Sequence, residues 1–332
     1  MPIYPAKEAK LMKEGLFIGI DGGGTHSTAV AATPDGQVVA VAREGCLNFY
    51  NIGVDPVRLR LENMVRSLCR QAGMPFDSVC VGMSALDAPA DEETLAQFTG
   101  GFFSPEQLDL QSDAYIALMG FTRGKPGMIV ICGTGSMLLL ADENGAQHVS
   151  GGWGYLLSDA GSGYTLAREG LLCAIDAQEG TGASTSLSAC ACEYFESKSL
   201  RQIINRIYAP GFTPDRMAGF ARYVIAEAGR GDAAAEDVLR RNMERLAGQA
   251  APLMRQSREA ERIGLYGGIF EHSSMARGFF SDALLRLCPQ AVICSLEYPP
   301  ELGAVIHLLQ KRGKLCEESL LRLKQSYEEI RK

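Results

Sequence analysis

The sequence predicts an α/β protein of two domains that repeat one order of strands and helices. The chain has 332 residues, which is enough for two domains of ordinary size with a core each. Apolar patterns predict the order β-β-β-α-β-α-β-α in the first third of the chain, and the same order begins again near residue 128. Both copies open on an apolar strand, a glycine-rich turn and a returning strand, with the turns at residues 22–25 and 133–136.

Composition and charge narrow the classes of partner. Apolar residues make up 46% and charged residues 21% of the chain, which is typical of a globular protein. The net charge of −7 argues against nucleic acid or an anionic membrane as the main partner. ATP stays compatible, because a local glycine turn and a metal ion can outweigh a mildly negative average. No signal peptide or membrane-spanning stretch is predicted, so we expect a cytoplasmic protein with reduced cysteines.

Histidine and cysteine spacings predict no metal site. The four histidines stand far apart, and the closest cysteines, Cys190 and Cys192, have a spacing that suits neither zinc nor a thioredoxin-type site. Free cysteine commonly serves as a small buried apolar residue. We therefore expect the ten cysteines to be structural thiols.

The first domain is predicted over residues 15–119, after a polar leader over residues 1–14. Three strands come first, and a helix then begins at Asp55, where Pro56 suits the first helical turn. Two further strand–helix pairs complete the domain. The predicted ranges are strands 16–20, 28–33, 38–42, 78–83 and 108–110, and helices from 55, at 92–98 and at 114–121.

The second domain is predicted over residues 120–332 and contains a helical insertion at about 181–261. Strands are predicted at 128–132, 137–141, 147–150, 263–266 and 291–296. Helices are predicted at 162–177, 214–228, 232–256, 274–287 and 301–310. A last amphipathic helix over about 317–330 could pack back on the first domain.

The strand that follows each glycine turn excludes two common nucleotide folds. A dinucleotide fold and a Walker-type loop both place a helix directly after the glycines. Glycines without Cβ atoms still let backbone N–H groups approach a phosphate. Asp21 at the entry of the first turn is placed to hold a hydrated Mg²⁺. A plain hairpin tip is the alternative for either turn taken alone.

An ordered set of short motifs resembles one family. The chain resembles the N-acetylglucosamine kinase and BadF/BadG/BcrA/BcrD-type ATPase family, within the actin-like ATPase and sugar kinase superfamily. That resemblance implies two ribonuclease H-like (actin-like ATPase) domains facing a cleft. The motifs, which appear in the family's order, are Asp21-Gly22-Gly23-Gly24-Thr25, Ser112-Asp113-Ala114, Gly133-Thr134-Gly135-Ser136, Gly151-Gly152-Trp153-Gly154, Ser158-Asp159-Ala160-Gly161-Ser162-Gly163-Tyr164, Gly267-Gly268-Ile269-Phe270 and Pro300-Glu301-Leu302-Gly303-Ala304.

The resemblance implies an ATP site and a magnesium site. Both glycine turns would bind the ATP phosphates, and Asp21 would bind Mg²⁺. The adenine would lie at Gly267 and Gly268, although that pair could serve chain geometry alone. Thr25 and Thr134 could instead be ordinary strand residues at a turn. The implied phosphate-binding residues are Gly22, Gly23, Gly24, Thr25, Gly133, Thr134, Gly135 and Ser136.

The resemblance also implies a sugar site. Asp113 would be the general base, or else only the cap of the helix that follows it. Trp153, the single tryptophan, would stack on the sugar, or else plug a core. Asn48 and Asp159 would bind sugar hydroxyls, although either could be a turn residue.

Four positions depart from the family pattern. Ala160 stands where the family usually has an acidic residue, and Ser158 where it usually has glycine. His26 replaces a more common basic residue, and residues 83–87 replace a glycine-rich turn. The departures at Ala85, Ser158 and Ala160 concern the sugar pocket rather than the phosphate site.

The implied function is an ATP- and Mg²⁺-dependent kinase of an amino sugar, foremost N-acetylglucosamine at the 6-hydroxyl. The first alternative is a BadF-type ATPase that drives a partner protein. Glucosamine or another hexosamine derivative is the alternative acceptor, and a sugar-responsive regulator is a non-enzymatic one. A homodimer is a further expectation from the family.

Overall fold

The computed structural model describes residues 15–331, and these form two compact units. The first unit comprises residues 15–123 and 298–331, and the second comprises residues 124–297. The predicted leader over residues 1–14 lies outside the described residues. No helix between residues 15 and 331 combines the length and the apolar character needed to cross a membrane.

A mixed five-stranded sheet forms the centre of the first unit. Its order is β3-β2-β1-β4-β5, with β1, β4 and β5 parallel and the other pairs antiparallel. The carboxyl ends of the three parallel strands therefore meet at one edge. The elements are β1 (Leu16–Gly22), β2 (Ser27–Ala32), β3 (Val38–Glu44), α1 (Phe49–Ile52), α2 (Val54–Ala72), β4 (Phe76–Met83), α3 (Glu92–Ala96), β5 (Leu108–Ser112) and α4 (Asp113–Thr122).

The second unit repeats this plan around a sheet of order β10-β9-β6-β7-β8. Here β6, β9 and β10 are parallel, and β6, β7 and β8 are antiparallel. The strands are β6 (Gly127–Cys132), β7 (Ser136–Ala141), β8 (Gln147–Gly151), β9 (Arg262–Tyr266) and β10 (Val292–Cys294). The helices are α5 (Gly163–Glu179), α6 (Leu187–Tyr194), α7 (Leu200–Ile207), α8 (Pro214–Ala218), α9 (Ala221–Gly229), α10 (Ala233–Met254), α11 (Gly268–His272) and α12 (Ser274–Leu287).

The predicted helical insertion contains the helices α6 to α10. The single helix predicted over 214–228 is instead two, α8 and α9, with a break at Gly219 and Phe220. Gly219 faces the Tyr194 hydroxyl, which would lie only 2.2 Å from an added Cβ. The alanine-rich α10 packs against α5, α9 and α12, and small alanine side chains allow this close approach.

The C-terminal helices correct the predicted domain boundary. The second domain was predicted to continue to residue 332, with the last helix able to pack back on the first domain. In the structure both α13 (Pro300–Lys311) and α14 (Glu317–Ile330) belong to the first unit. The apolar helix α13 packs against β1 and α4. The unit to which a helix belongs depends on contacts between residues distant in sequence. The order of helices and strands along the chain does not reveal these contacts. The predicted boundary after residue 119 also moves, to follow the end of α4.

Two glycines permit the packing of α13. An added Cβ at Gly303 would lie 1.8 Å from the Ile116 carbonyl oxygen, and one at Gly19 would lie 2.2 Å from the Glu301 carbonyl oxygen. Real Cβ atoms do not approach backbone this closely, so only glycine allows the contact. The last helix, α14, packs on β3, where the Val38 N–H donates to Ser326 Oγ at 2.8 Å.

Candidate active site

Two predicted site carboxylates lie at one edge of the first sheet. Asp21 is next to the end of β1, and Asp113 is the first residue of α4, directly after β5. In the register, Gly22 pairs with Met83 of β4, and Met83 pairs with Ser112 of β5. Parallel strands thus bring Asp21, the first glycine turn and Asp113 to the same edge.

Hydrogen bonds to its carbonyl groups fix the first glycine turn at its start, and its tip is exposed to solvent. The N–H of Leu47 donates to the Gly23 carbonyl at 3.0 Å, and the N–H of Ser84 donates to the Gly22 carbonyl at 3.1 Å. A Cβ at Gly23 would lie 2.5 Å from the His26 carbonyl, so glycine is required there. Gly24 and Thr25 are exposed. The turn can therefore present backbone N–H groups to an anion.

Asp21 has an unusual electrostatic environment. Burial, followed by the nearby negative charges of Glu301 and Asp113, raises the pKa of Asp21 to about 7. Glu301 is itself 6% exposed and accepts a hydrogen bond from the Tyr327 hydroxyl of α14. A buried carboxyl beside two others favours either a proton or a cation.

Asp113 is not the cap of α4. The N-cap is Ser112, whose Oγ accepts from the Tyr115 N–H at 3.1 Å, so the capping alternative for Asp113 is wrong. One oxygen of Asp113 accepts from the Ala114 N–H at 2.7 Å. Burial, and to a smaller degree the charge of Asp87, raises the pKa of Asp113 above its ordinary value despite that hydrogen bond. A raised pKa makes this carboxylate a stronger base.

A polar network joins β5 and α4 to α13. His307 Nε2 lies 2.9 Å from Asp109 Oδ2, and His307 Nδ1 lies 3.1 Å from the Tyr115 hydroxyl. Lys311 Nζ donates to the same Asp109 oxygen at 2.7 Å. Burial alone would raise the pKa of Asp109, but the hydrogen bonds from His307 and Lys311 outweigh it and hold the pKa well below the usual range. The network ties the helix that begins with Asp113 to the rest of the unit.

Asn48 lies near the first glycine turn and has a local structural role. It is the N-cap of α1, where its Oδ1 accepts from the Tyr50 N–H at 3.0 Å. Its Nδ2 donates to Ser84 Oγ at 3.2 Å, and Ser84 in turn binds Gly22 through the backbone. An amide nitrogen has two protons, so one remains for a ligand.

The second glycine turn is held by the start of α5. The Gly163 N–H donates to the Gly133 carbonyl at 2.7 Å, and the Tyr164 N–H donates to the Thr134 carbonyl at 3.2 Å. The Thr134 hydroxyl donates to Asp215 Oδ1 of α8 at 2.8 Å. Ser136 Oγ donates to the Ala160 carbonyl at 2.8 Å. The Gly133 N–H donates to the Gly135 carbonyl at 2.9 Å, and the Ser136 N–H bonds to Asp159. Among the described residues, the N–H groups of Thr134 and Gly135 are therefore the ones left to bind an anion.

Asp159 and Trp153 belong to the second unit but differ in exposure. Trp153 is 70% exposed, which excludes the core-plug alternative. Asp159 is only 7% exposed, and its Oδ2 would lie 3.0 Å from a Cβ at Gly135. Burial raises the pKa of Asp159, and the backbone N–H groups of Gly154 and Ser136 offset only part of that rise. Its Oδ1 is buried without a hydrogen-bond partner.

Gly267 and Gly268 follow β9, as the strand-to-helix prediction required. Gly267 has a φ of 99°, and a Cβ there would lie 2.6 Å from the Cys132 carbonyl. Chain geometry alone therefore requires glycine at 267. Gly268 has no such backbone contact, since its nearest neighbour is the His272 side chain at 3.9 Å.

Within residues 15–331, no three side chains among histidine, cysteine, aspartate and glutamate form a group that could hold a metal ion. Cys190 and Cys192 are both free thiols. Any metal at Asp21 would therefore be held by few protein ligands. That pattern is normal for Mg²⁺, which keeps waters and binds substrate phosphates.

Three neighbours of the site were not identified from the sequence. The charge of Asp87 raises the pKa of Asp113, and the charge of Glu301 raises the pKa of Asp21. Asp215 accepts a hydrogen bond from the Thr134 hydroxyl. Asp87 and Glu301 stood in noted motifs without an assigned role. Asp215 follows Pro214 at the start of a short helix, a pattern that indicates only a capped turn.

Comparison with known proteins agrees with the predicted fold. The N-acetyl-D-glucosamine kinase of Dictyostelium discoideum is 26% identical over 318 residues, which covers 91% of this chain and 100% of that protein. The N-acetylmuramic acid/N-acetylglucosamine kinase of Clostridium acetobutylicum is 25% identical over 295 residues, covering 87% and 96%. The structure of a candidate N-acetylglucosamine kinase from Chromobacterium violaceum has a TM-score of 0.68 at 24% identity, covering 90% and 99%.

The structural similarity confirms the predicted two-domain α/β fold of sugar kinases and actin-like ATPases. The family resemblance seen in the motifs is confirmed as well. A family model matches residues 18–307, which span both glycine turns, Asp113 and most of α13. The chain therefore belongs to the BadF/BadG/BcrA/BcrD ATPase family.

Proposed function

We propose that the protein is an ATP-dependent kinase that phosphorylates an amino sugar, with N-acetylglucosamine as an acceptor and its 6-hydroxyl as the attacking group. One observation carries the proposal. Two relatives named as kinases of N-acetylglucosamine align along about nine-tenths of this chain, at 91% and 87% coverage. The location of Asp113 beside the first glycine turn supplies a base for that reaction.

Asp113 is assigned the role of general base. Its carboxylate accepts the proton of the sugar hydroxyl while the hydroxyl oxygen attacks the γ-phosphorus. The bond from the γ-phosphorus to the bridging oxygen breaks, and ADP leaves. Phosphoryl transfer passes through a loose transition state, so the base mainly orients the nucleophile. The hydrogen bond from Ala114 and the anchored start of α4 would keep Asp113 in position.

Phosphate binding is assigned to the backbone N–H groups of residues 22–25 and of the second glycine turn at 133–136, where those of Thr134 and Gly135 are free. The Thr25 hydroxyl is exposed and can add a donor. The Thr134 hydroxyl donates to Asp215, so it would have to leave that partner before donating to a phosphate. Gly267 and Gly268 are assigned to the adenine.

Mg²⁺ fits the residues around Asp21. The buried Asp21 carboxyl, with its pKa raised to about 7, lies among acidic neighbours whose repulsion a cation would relieve. Bound there with the phosphates of ATP, Mg²⁺ would neutralise charge that develops during transfer. Asp21 would be its protein ligand.

Sugar binding is assigned to Asn48, Trp153 and Asp159, together with Asp113. The exposed indole of Trp153 offers a flat apolar face for the C–H face of a sugar. Asn48 retains an N–H, and Asp159 retains an unpartnered oxygen. An ATPase that drives a partner protein would need none of these groups, which favours the kinase.

We also infer that the protein works in the cytoplasm. All ten cysteines, of which three are buried, are free thiols. Free thiols persist in reducing compartments. The homodimer expected from the family remains a prediction, and sedimentation of the purified protein would test it.

The experiment is ADP release with Mg-ATP and N-acetylglucosamine, glucosamine, N-acetylmuramate or no sugar. We expect at least one amino sugar to stimulate release strongly. Asp113→Asn should lower kcat by about 10²- to 10⁴-fold, the usual contribution of a general base, with little change in KM for ATP.

The matched control for Asp113→Asn is Asp282→Asn, which changes an exposed carboxylate on α12. That variant should behave as the wild type does. Equal ADP release with and without every sugar would exclude the sugar kinase and favour the partner-driven ATPase.

A further inference from the structure

A carboxylate lies at the second glycine turn, to which nucleotide phosphates are assigned. Asp215 Oδ1 accepts the hydrogen bond of the Thr134 hydroxyl at 2.8 Å, although the two residues are 81 positions apart. Both residues belong to the second unit, and both are exposed. An ionised carboxylate can only accept hydrogen bonds, so it takes the place that a phosphate oxygen would have on this hydroxyl.

The free backbone donors of the same turn point away from α5. The carbonyls of Gly133 and Thr134 accept from N–H groups at the start of α5, at 2.7 and 3.2 Å. The carbonyl and the N–H of a trans peptide point in opposite directions, and these peptides are trans. The N–H groups of Thr134 and Gly135 are therefore directed away from α5. An anion bound to them would lie next to the Thr134 side chain, whose hydroxyl Asp215 already holds.

The short helix α8 keeps its position through contacts that do not involve the Asp215 carboxylate. Thr213 Oγ1 caps the helix by accepting from the Arg216 N–H at 3.4 Å, and the Tyr194 hydroxyl donates to the Arg216 carbonyl at 2.7 Å. Met217 is buried in the core of the second unit. A substitution of the Asp215 side chain should therefore leave α8 in place.

The charge of Asp215 is not compensated by a salt bridge. Among the residues that the structure describes, no lysine, arginine or histidine forms an ion pair with it. The adjacent Arg216 lies over the Phe212 ring instead, 5.6 Å from its centroid. Like charges a few ångströms apart repel each other, and water and salt screen this repulsion only in part. A phosphate at this turn therefore meets an occupied hydroxyl and a negative charge.

We propose that Asp215 competes with the nucleotide phosphates for the Thr134 hydroxyl and thereby weakens the binding of ADP and ATP. Asp215 acts through Thr134, so it is a positioning residue. The inference rests on the proposed function, because it takes the second glycine turn as a phosphate site. The consequence is a faster release of ADP, since the carboxylate takes the hydroxyl back as the phosphates leave.

The test is calorimetric binding of Mg-ADP to the wild type, Asp215→Ala and Asp215→Asn. Asp215→Ala removes both the competing acceptor and the charge, so the Kd for ADP should fall about 5- to 30-fold. Asp215→Asn keeps an acceptor of the same shape without the charge and should give a smaller fall. Adenosine has no phosphates, so its Kd should be the same in all three proteins.

A double-mutant cycle tests whether Asp215 acts through the Thr134 hydroxyl. In the Thr134→Val background this hydroxyl is absent, so Asp215→Ala should tighten ADP binding less than it does in the wild type. Thr134→Ser retains a hydroxyl and should restore the full effect of Asp215→Ala. An effect of equal size in the Thr134→Val background would overturn the inference.

The control is Asp282→Ala on α12, which removes another exposed carboxylate and should leave the Kd for ADP unchanged. Unchanged or weaker ADP binding by Asp215→Ala would overturn the inference, and the proposed function would stay intact if an amino sugar still stimulates ADP release. An equal change for adenosine would overturn it too, because the effect would then lie outside the phosphate contacts. A wild-type protein that binds no ADP would refute the nucleotide site, and the proposed function would fail together with this inference.

Discussion

At the scale of single residues, the ionised carboxylate of Asp21 should lower the stability of the folded protein. Its carboxyl is buried beside Glu301 and Asp113, so ionisation places a third negative charge in one place. A structural role would favour a neutral side chain here. The proposed role in binding a cation requires the carboxylate, and this role would account for an arrangement that packing alone would not select.

Asp21→Asn should therefore stabilise the protein at high pH while removing activity. Folding raises the pKa of Asp21 from its ordinary 3.8 to about 7, so the folded state holds this proton more tightly than the unfolded chain does. The favourable contribution of that proton is complete below pH 4 and is lost as the pH rises through 7. Without metal, in EDTA, the melting temperature of Asp21→Asn should exceed that of the wild type by several degrees at pH 8, and by less at pH 5.

Glu328→Gln is the control, because Glu328 is exposed. The melting temperature of this variant should be close to that of the wild type at both pH values. An Asp21→Asn protein that is less stable than the wild type at pH 8 would contradict the assigned electrostatics.

Asp87 should influence the pH below which activity is lost, that is, the acid limb of the pH–activity profile. Burial and the charge of Asp87 both raise the pKa of Asp113, and protonated Asp113 cannot act as a base. Activity should therefore rise with pH through a pKa above the ordinary aspartate range. Asp87→Asn removes one cause and should move the acid limb of kcat/KM to lower pH. A limb that stays in place, or moves upward, would count against Asp113 as the titrating base.

At the scale of elements, α13 joins the two carboxylates to the body of the first unit. Its first turn carries Glu301 beneath β1, and its later residue His307 binds Asp109 and Tyr115. The glycines at 19 and 303 let it approach β1 and α4 at backbone distance. A change in this helix should therefore reach both Asp21 and Asp113.

Gly303→Ala should be strongly destabilising. The new Cβ would meet the Ile116 carbonyl at 1.8 Å, and backbone atoms cannot rotate away as a flexible side chain can. We expect a loss of about 3 kcal/mol or more, at the upper end for overpacked cores, measured by urea unfolding. Gly278→Ala in α12 is the matched control, because its Cβ would meet nothing within 4 Å. That change should be neutral or should stabilise by about 0.4–1 kcal/mol. Similar stabilities for the two variants would show that α13 can shift without cost.

At the scale of the whole molecule, the two units differ in how the chain builds them. The second unit is one continuous segment, and its core lies wholly within residues 128–291. The first unit is assembled from residues 15–123 and the returning C-terminal segment 298–331.

A polypeptide of residues 124–297 should fold alone, whereas residues 15–123 should not. The second segment keeps its complete sheet and core, but the first would expose the face of β1 that α13 covers. We expect a cooperative melt and dispersed amide resonances for residues 124–297, and aggregation for residues 15–123. Adding residues 298–331 to residues 15–123 through a flexible linker should restore folding. A stable, monomeric 15–123 polypeptide would show that the C-terminal helices are dispensable.

Local patterns in the sequence were enough to determine both glycine hairpins, the repeated order of strands and helices, and the position of Asp113 between β5 and α4. These features depend on neighbours within a few residues, where glycine conformation and apolar periodicity decide the outcome. The motif resemblance identified the family for the same reason, because each motif is a short segment at the end of a strand or at the start of a helix. Even the site edge could be anticipated, since parallel strands end together.

Only the tertiary structure decided which unit holds α13, which carboxylates surround Asp21, and that Asp215 binds the Thr134 hydroxyl across 81 residues. It also assigned the cap of α4 to Ser112. All of these features depend on distances between residues that are remote in sequence. Where such residues are buried and charged, their closeness changes the pKa of each group. A chain read alone carries the residue types, but the free energy of a buried charge depends on what folding places beside it.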